Sequence, residues 1–383
     1  MKYEIKCAKC GRTSSSILDF RCLCGSPLEM QLHFDFEKNK VRKQNHSLWR
    51  YISFFPYINQ KEIISLGEGW TPLVKFSDSL YFKMDHLNPT GSFKDRGSTV
   101  LISALNKPLK KAKGTISEDS SGNAGASIAA YAARAGLKAK IYVPESVSGQ
   151  KFNQTLSYGA EVVKVSGSRN KVTEEAERHE DGKFYVGHVL HPLFRDGIRT
   201  LAYELSEQLR WKLPERIYLP VSAGTLLLGL ISGLVHLKDS GIIETVPRII
   251  ACQTRQVSPL YHRFKCLKYS PPENVNSVAD ALVSVNPPLL ELMVEKLKEV
   301  DGDAVMVEED EIIDGFRSLA KNGFFVEPSS AVAYAAYKKQ VQDRKISSDT
   351  RTVVVLTGMG LKTMFEPYAK VQNRKEKKGD FLT

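Results

Sequence analysis

Short apolar runs that end in loops of small residues, each followed by a helix-like stretch, recur along this chain, and that alternation restricts it to an α/β fold with parallel sheets. Leu80-Tyr81-Phe82-Lys83-Met84 reads as a strand, bounded upstream by the turn-forming Ser77-Asp78-Ser79. It leads into Asn88-Pro89-Thr90-Gly91-Ser92-Phe93-Lys94-Asp95-Arg96-Gly97 and a helix with Phe93, Val100, Leu101, Ala104 and Leu105 on one face, predicted to stop at Lys107-Pro108. A second helix over 124–135 ends at Gly136, and Ala139–Pro144 and Gly159–Val165 read as strands. Further on come a helix over 192–209, a strand Ile217–Val221, a helix over 226–237 and a strand Thr352–Leu356. The reading is of two open α/β units, a larger one over 41–105 and 185–371 and a smaller one over 106–184 inserted into it. A basic tail, 372–383, is expected to be flexible.

Three of the loops carry chemistry. Lys94 stands at the start of a helix, where the helix dipole and neighbouring Arg96 would lower its pKa and favour the neutral, nucleophilic amine of a Schiff-base lysine. The implied cofactor is pyridoxal 5'-phosphate. Ser120-Ser121-Gly122-Asn123-Ala124-Gly125 offers unpaired backbone N–H groups at a second helix start, a place that suits a carboxylate, and Asn123 can donate to a phenolic oxygen. Val221-Ser222-Ala223-Gly224-Thr225 follows a strand and precedes a helix, the arrangement that cradles a phosphate. Taken singly, each has an ordinary reading as a solvated lysine, a capped turn or a plain strand-to-helix connection. Their co-occurrence is what carries the chemistry.

Together these segments resemble the fold type II pyridoxal-phosphate enzymes, whose architecture is tryptophan synthase β-like, and in detail the threonine synthases. Ser47-Leu48-Trp49-Arg50-Tyr51, Leu66-Gly67-Glu68-Gly69-Trp70-Thr71-Pro72-Leu73, Val326-Glu327-Pro328-Ser329-Ser330-Ala331 and Leu356-Thr357-Gly358-Met359-Gly360-Leu361-Lys362 extend the resemblance along nearly the whole chain. The resemblance implies Lys94 as catalytic lysine and Lys94, Asn123, Val221, Ser222, Ala223, Gly224, Thr225 and Thr357 as cofactor-binding residues. Thr357 would be a neutral partner for the ring nitrogen, favouring elimination and replacement over transamination. It also implies a small phosphorylated amino acid as substrate, its carboxylate held by Ser120, Ser121, Asn123 and Ala124. The implied reaction converts O-phospho-L-homoserine and water to L-threonine and phosphate. The same fold admits a cysteate or cysteine synthase acting on O-phosphoserine, or a serine/threonine dehydratase. For the distal phosphate the chain departs from the pattern: Phe194 stands three residues before Gly197 where some relatives have arginine, which leaves Arg195 or Arg199 to take the role. Met359 and Thr363 also depart from a usual polar and a usual acidic residue. A homodimer is implied.

Four of the six cysteines fall in the first 24 residues as Cys7-X-X-Cys10 and Cys22-X-Cys24, each pair followed by a glycine that permits the positive φ of a metal-binding turn. Residues 1–40 are therefore expected to form a zinc ribbon. Two disulfides would use the same residues, but Met1–Lys6 lacks the apolar core of a secretion signal, so a reduced, cytoplasmic protein and a structural Zn2+ are expected. No apolar run approaches bilayer length. The net charge of +11 resides partly in runs over 38–43 and 370–378, which read as solvated charge, and no aromatic-interleaved module points to nucleic acid.

Overall fold

A computed structural model describes residues 2–363 apart from Ser148; the expected tail over 372–383 lies outside the described residues. Twelve strands form three sheets among the described residues. In chain order they are β1 (Tyr3–Cys7), β2 (Leu28–Leu32), β3 (Leu73–Lys75), β4 (Leu80–Met84), β5 (Thr115–Glu118), β6 (Lys138–Pro144), β7 (Glu161–Val165), β8 (Lys183–Tyr185), β9 (Arg216–Pro220), β10 (Arg248–Thr254), β11 (Asp303–Val307) and β12 (Thr352–Leu356).

β1 and β2 pair as an antiparallel hairpin, with Ile5 opposite Met30, and carry the cysteine turns. The largest sheet has the order β11-β10-β9-β12-β4-β3, parallel except for the β3–β4 pair at its edge. A second sheet, β7-β6-β5-β8, is wholly parallel. Parallel strands are covered by crossover helices on both faces, so they read as continuous apolar runs. β12, Thr-Val-Val-Val-Leu, is buried at every position for this reason.

The lysine helix runs Lys94–Lys111 and does not stop at Pro108. A proline inside a helix removes one N–H donor, here the one Ala104 would have bonded; Leu109, fully buried beyond it, gains more by staying in the core than that bond is worth. The Asn123–Ala135 helix ends at Gly136 as expected. The stretch predicted as one helix over 192–209 is two, Pro192–Ile198 and Thr200–Gln208, interrupted only at Arg199.

The hairpin is tied to both sheet-bearing units. Arg195 donates to Leu28 O, the Phe36 N–H donates to Ser240 Oγ at 2.7 Å, and Phe20 packs edge-on against Tyr185 at 4.8 Å.

Candidate active site

The carboxyl ends of the parallel strands in both sheets face one cleft of about 710 Å³. β4 delivers the lysine loop, β5 the Ser120–Ala124 loop, β9 the Val221–Thr225 loop, and β12 Thr357; all of these line the cleft.

Lys94 is the first residue of its helix and is partly buried in the cleft wall, its Nζ 5.0 Å from the Phe93 ring centroid and 5.8 Å from that of Phe194. Its amine is pushed down to about 8, chiefly by burial, with Glu118 acting weakly in the other direction. Arg96 is not the cause expected from the sequence. Its guanidinium is fully buried and neutralised, gripping Asp85 through two bonds of 2.8 and 2.7 Å and Glu204 through bonds of 2.8 and 2.9 Å. Lys83 reaches the same Glu204, whose carboxyl is held well below the ordinary range by these two cations. The Arg96 role is therefore to anchor the helix start rather than to tune the lysine. The loop before it is held as well: the Thr90 N–H and hydroxyl donate to Asp95 at 2.7 and 2.6 Å, and Lys362 Nζ donates to Thr90 O at 2.7 Å.

Across the cleft, the Thr225–Asp239 helix opens with free N–H groups, since its first internal bond runs from the Leu228 N–H to Gly224 O. Gly224 sits at φ 97°, and a Cβ there would lie 2.4 Å from Met293 Sδ, so only glycine lets the loop expose its backbone. Thr357 is held by its backbone: its N–H donates to Ser330 Oγ at 2.7 Å and its O accepts from the Phe93 N–H at 3.0 Å. Its hydroxyl has no partner among the described residues. Asn123 donates to Glu327 Oε2 at 2.9 Å, leaving a second N–H free and its Oδ1 buried without a partner.

Arg195 and Arg199 do not enter this cleft, and their expected role as phosphate ligands is corrected. Arg195 spends its guanidinium on the carbonyls of Val189, Leu190 and Leu28, which joins the loop after β8 to the cysteine hairpin. Arg199 is fully buried, paired with Asp196 at 2.7 Å and bonded to Phe54 O at 3.0 Å. Besides Lys94, the cations that do line the cleft are Arg21, from the loop between the cysteine pairs, and Arg169; each is exposed and held by one carboxylate, Glu177 and Asp119 respectively. Sequence reading missed both, because neither lies in a motif. His188, also outside the motifs, lines the cleft with Nδ1 2.6 Å from Glu118 Oε1.

The four N-terminal sulfurs all lie within 4.8 Å of one another. Cys7 Sγ stands 3.5 Å from Cys24 Sγ and Cys10 Sγ 3.6 Å from Cys22 Sγ, too far apart for disulfides and near the edge of about 3.8 Å that a tetrahedral zinc–thiolate site requires.

Residues 64–358 match the pattern of a family described as pyridoxal-phosphate dependent enzyme. The chain belongs to that family. Among curated relatives, it is 32% identical to a threonine synthase of Methanocaldococcus jannaschii over 97% of this chain and 95% of that one. It is 30% identical to a threonine synthase of Methanosarcina acetivorans over 94% and 92%. Among solved structures it is similar to a pyridoxal 5'-phosphate-dependent aspartate racemase (TM-score 0.66, 22% identity, 88% of this chain and 100% of that one). It is also similar to the threonine deaminase isoform 2 of Solanum lycopersicum (TM-score 0.68, 21% identity, 89% of each). These structural likenesses establish the fold as type II. The cleft suits the family's cofactor: a lowered lysine, an exposed N–H cradle, an unpartnered hydroxyl at a strand end and an unsatisfied asparagine converge on it.

Proposed function

We infer that the chain is a threonine synthase, a pyridoxal-phosphate-dependent lyase that converts O-phospho-L-homoserine and water to L-threonine and phosphate. The observation that carries this is a lysine-bearing cofactor cleft in a chain that aligns with threonine synthases over nearly its full length.

When bound, pyridoxal phosphate draws electrons from the substrate's Cα and makes its C–H bond acidic. The protein's residues divide the remaining work. The Val221–Thr225 backbone would hold the cofactor phosphate, Asn123 the phenolic oxygen, and the Thr357 hydroxyl the ring nitrogen. A hydroxyl cannot keep that nitrogen charged as a carboxylate would, which favours elimination and replacement. Lys94, poised between neutral and charged near pH 8, can take a proton from carbon and return it. The N–H groups at the start of the Asn123–Ala135 helix, with Ser120 and Ser121, would seat the substrate carboxylate. For the distal phosphate we assign Arg21 and Arg169, whose present carboxylate partners can be exchanged for a dianion.

Zinc is assigned to Cys7, Cys10, Cys22 and Cys24, a four-thiolate set with no open position and therefore a structural role. The same reading takes residues 1–40 as the ribbon, 106–184 as the inserted unit, and the protein as a cytoplasmic homodimer. No helix among the described residues is long and apolar enough to cross a membrane.

The test is a substrate panel with the purified, cofactor-loaded protein: O-phosphohomoserine, O-phosphoserine with sulfite or sulfide, threonine and serine, with products identified by mass spectrometry. Threonine and phosphate from O-phosphohomoserine are expected. Turnover confined to O-phosphoserine or to a free hydroxy amino acid would overturn the substrate.

A further inference from the structure

We propose that Glu118 and His188 form a proton-carrying pair that serves the oxygen atoms of the reaction, leaving the carbon-bound protons to Lys94. The proposal rests on the phosphohomoserine reading above. It starts from placement. Glu118 is the last residue of β5, and His188 follows β8, the strand that pairs with β5 in parallel; the two adjacent carboxyl ends therefore set the imidazole in the cleft wall with this acid fully buried behind it.

The imidazole is fixed from both sides. Glu118 Oε1 is 2.6 Å from Nδ1, and Glu118 Oε2 accepts the His188 backbone N–H at 3.0 Å, so one carboxyl group sets both the ring's tilt and its loop. Phe194 packs edge-on against the ring at 5.7 Å and, with Lys94 Nζ 5.8 Å from its own centroid, places the lysine and the histidine around a common aromatic wall. Nε2 is the nitrogen left over: it has no protein partner among the described residues, and the side chain keeps 10% of its surface at the cleft.

Burial decides which protonation states the pair can use. Glu118 is fully buried beside Asp119, which raises its carboxyl well above the usual range, while burial and the neighbouring Lys94 charge lower the imidazole. Both shifts favour one neutral arrangement, with the carboxyl O–H donating to Nδ1 and the other proton on Nε2. Remaining groups nearby are engaged: Asp119 is held by Arg169, Thr173 and Tyr185.

The chemistry of the substrate needs such a group. As the Cγ–O bond breaks, its electron pair stays on oxygen, and Nε2–H protonates that oxygen so that the leaving group departs as hydrogen phosphate. Nδ1 takes the carboxyl proton at the same time, so the negative charge left behind resides on Glu118 and no imidazolium forms. Water then adds: its oxygen bonds to Cβ, one O–H bond breaks, the proton passes to Nε2, and the Nδ1 proton returns to Glu118. The pair ends as it began.

The test uses His188→Gln and Glu118→Gln in the cofactor-loaded enzyme. Phosphate release should fall about 100-fold or more in kcat with KM changed by less than about threefold, the usual scale for a lost acid–base group. In His188→Gln, exchange of the Cα proton of 2-aminobutyrate, which has no leaving group, should continue at the wild-type rate in D2O. In the cofactor-free protein labelled with ¹⁵N-histidine, His188 should stay neutral and protonated on Nε2 well below the ordinary histidine range. An undiminished kcat in either variant overturns the proposal, as does loss of exchange in step with phosphate release, or an ordinary imidazolium titration of His188. If wild-type enzyme releases no phosphate from O-phosphohomoserine, the substrate assignment fails instead, and the nitrogen spectrum still decides the state of the pair.

Discussion

At the level of single residues, Lys94 is held in a state that serves reactivity at the expense of stability. Its amine is at about 8 in the folded protein and near 10.5 when unfolded. Between those values the unfolded chain binds more protons, so stability rises with pH across that window, and below about pH 8 the cost of burying the lysine is fully present. The shift corresponds to no more than about 3.4 kcal/mol, lessened because part of the side chain stays wet in the cleft. In the cofactor-free protein, Lys94→Met should therefore be more stable than wild type in urea at pH 7, the gain shrinking by pH 10, while the loaded variant shows no turnover and borohydride fixes no cofactor to it. Equal stability at both pH values would refute this account of the lysine. The lysine, the carboxylate loop and the phosphate cradle were legible because their chemistry lies in contiguous segments. Arg195 and Arg199 were misread because each is turned away from the cleft by a set of partners that includes a carbonyl more than a hundred residues away, Leu28 O and Phe54 O respectively. Glu118 and His188 are 70 residues apart and meet only through the β5–β8 pairing, which no local pattern announces.

Among the elements, β4 and β12 matched their predicted bounds because turns or charged residues frame largely apolar runs, Lys83 being the one charged residue inside them, whereas the lysine helix outran its proline because tertiary burial of Leu109 outweighed a local rule. The cysteine hairpin has the most direct bearing on the cleft. Arg21 precedes Cys22 and reaches Glu177 at 2.7 Å, while Phe20 leans on Tyr185. Chelation, or Cys7→Ser, should loosen residues 1–40 to proteolysis and raise KM for the phosphorylated substrate several-fold, as the loss of a charge-assisted contact does, without removing the cofactor's absorbance. Bleaching of the cofactor at the same chelator concentration would show that the hairpin supports the cradle itself.

Over the whole molecule, the two parallel sheets meet at the cleft and are bridged by Lys151, whose Nζ pairs with Asp280 at 2.8 Å and Glu327 at 2.9 Å. Glu327 also binds Asn123 and Thr363, so one carboxylate collects residues from both sides. Lys151→Met should cost about 1.5–3 kcal/mol, the scale of a lost hydrogen bond to a charged group, and speed hydrogen exchange in the 150–157 helix. Exchange at the wild-type rate would remove the bridge from this account. The buried assembly of Glu204, Arg96, Lys83 and Asp85 has a different consequence, one for the order in which the chain assembles. Its members come from β4 and the turn beyond it, the lysine helix and the Thr200–Gln208 helix, over 100 residues away. A collapsed intermediate that docks any two of these without the third strands a charge in the interior at a cost of several kcal/mol. Arrangements that misdock these elements are disfavoured by that cost, so the ions select the native docking of the helix that carries the lysine.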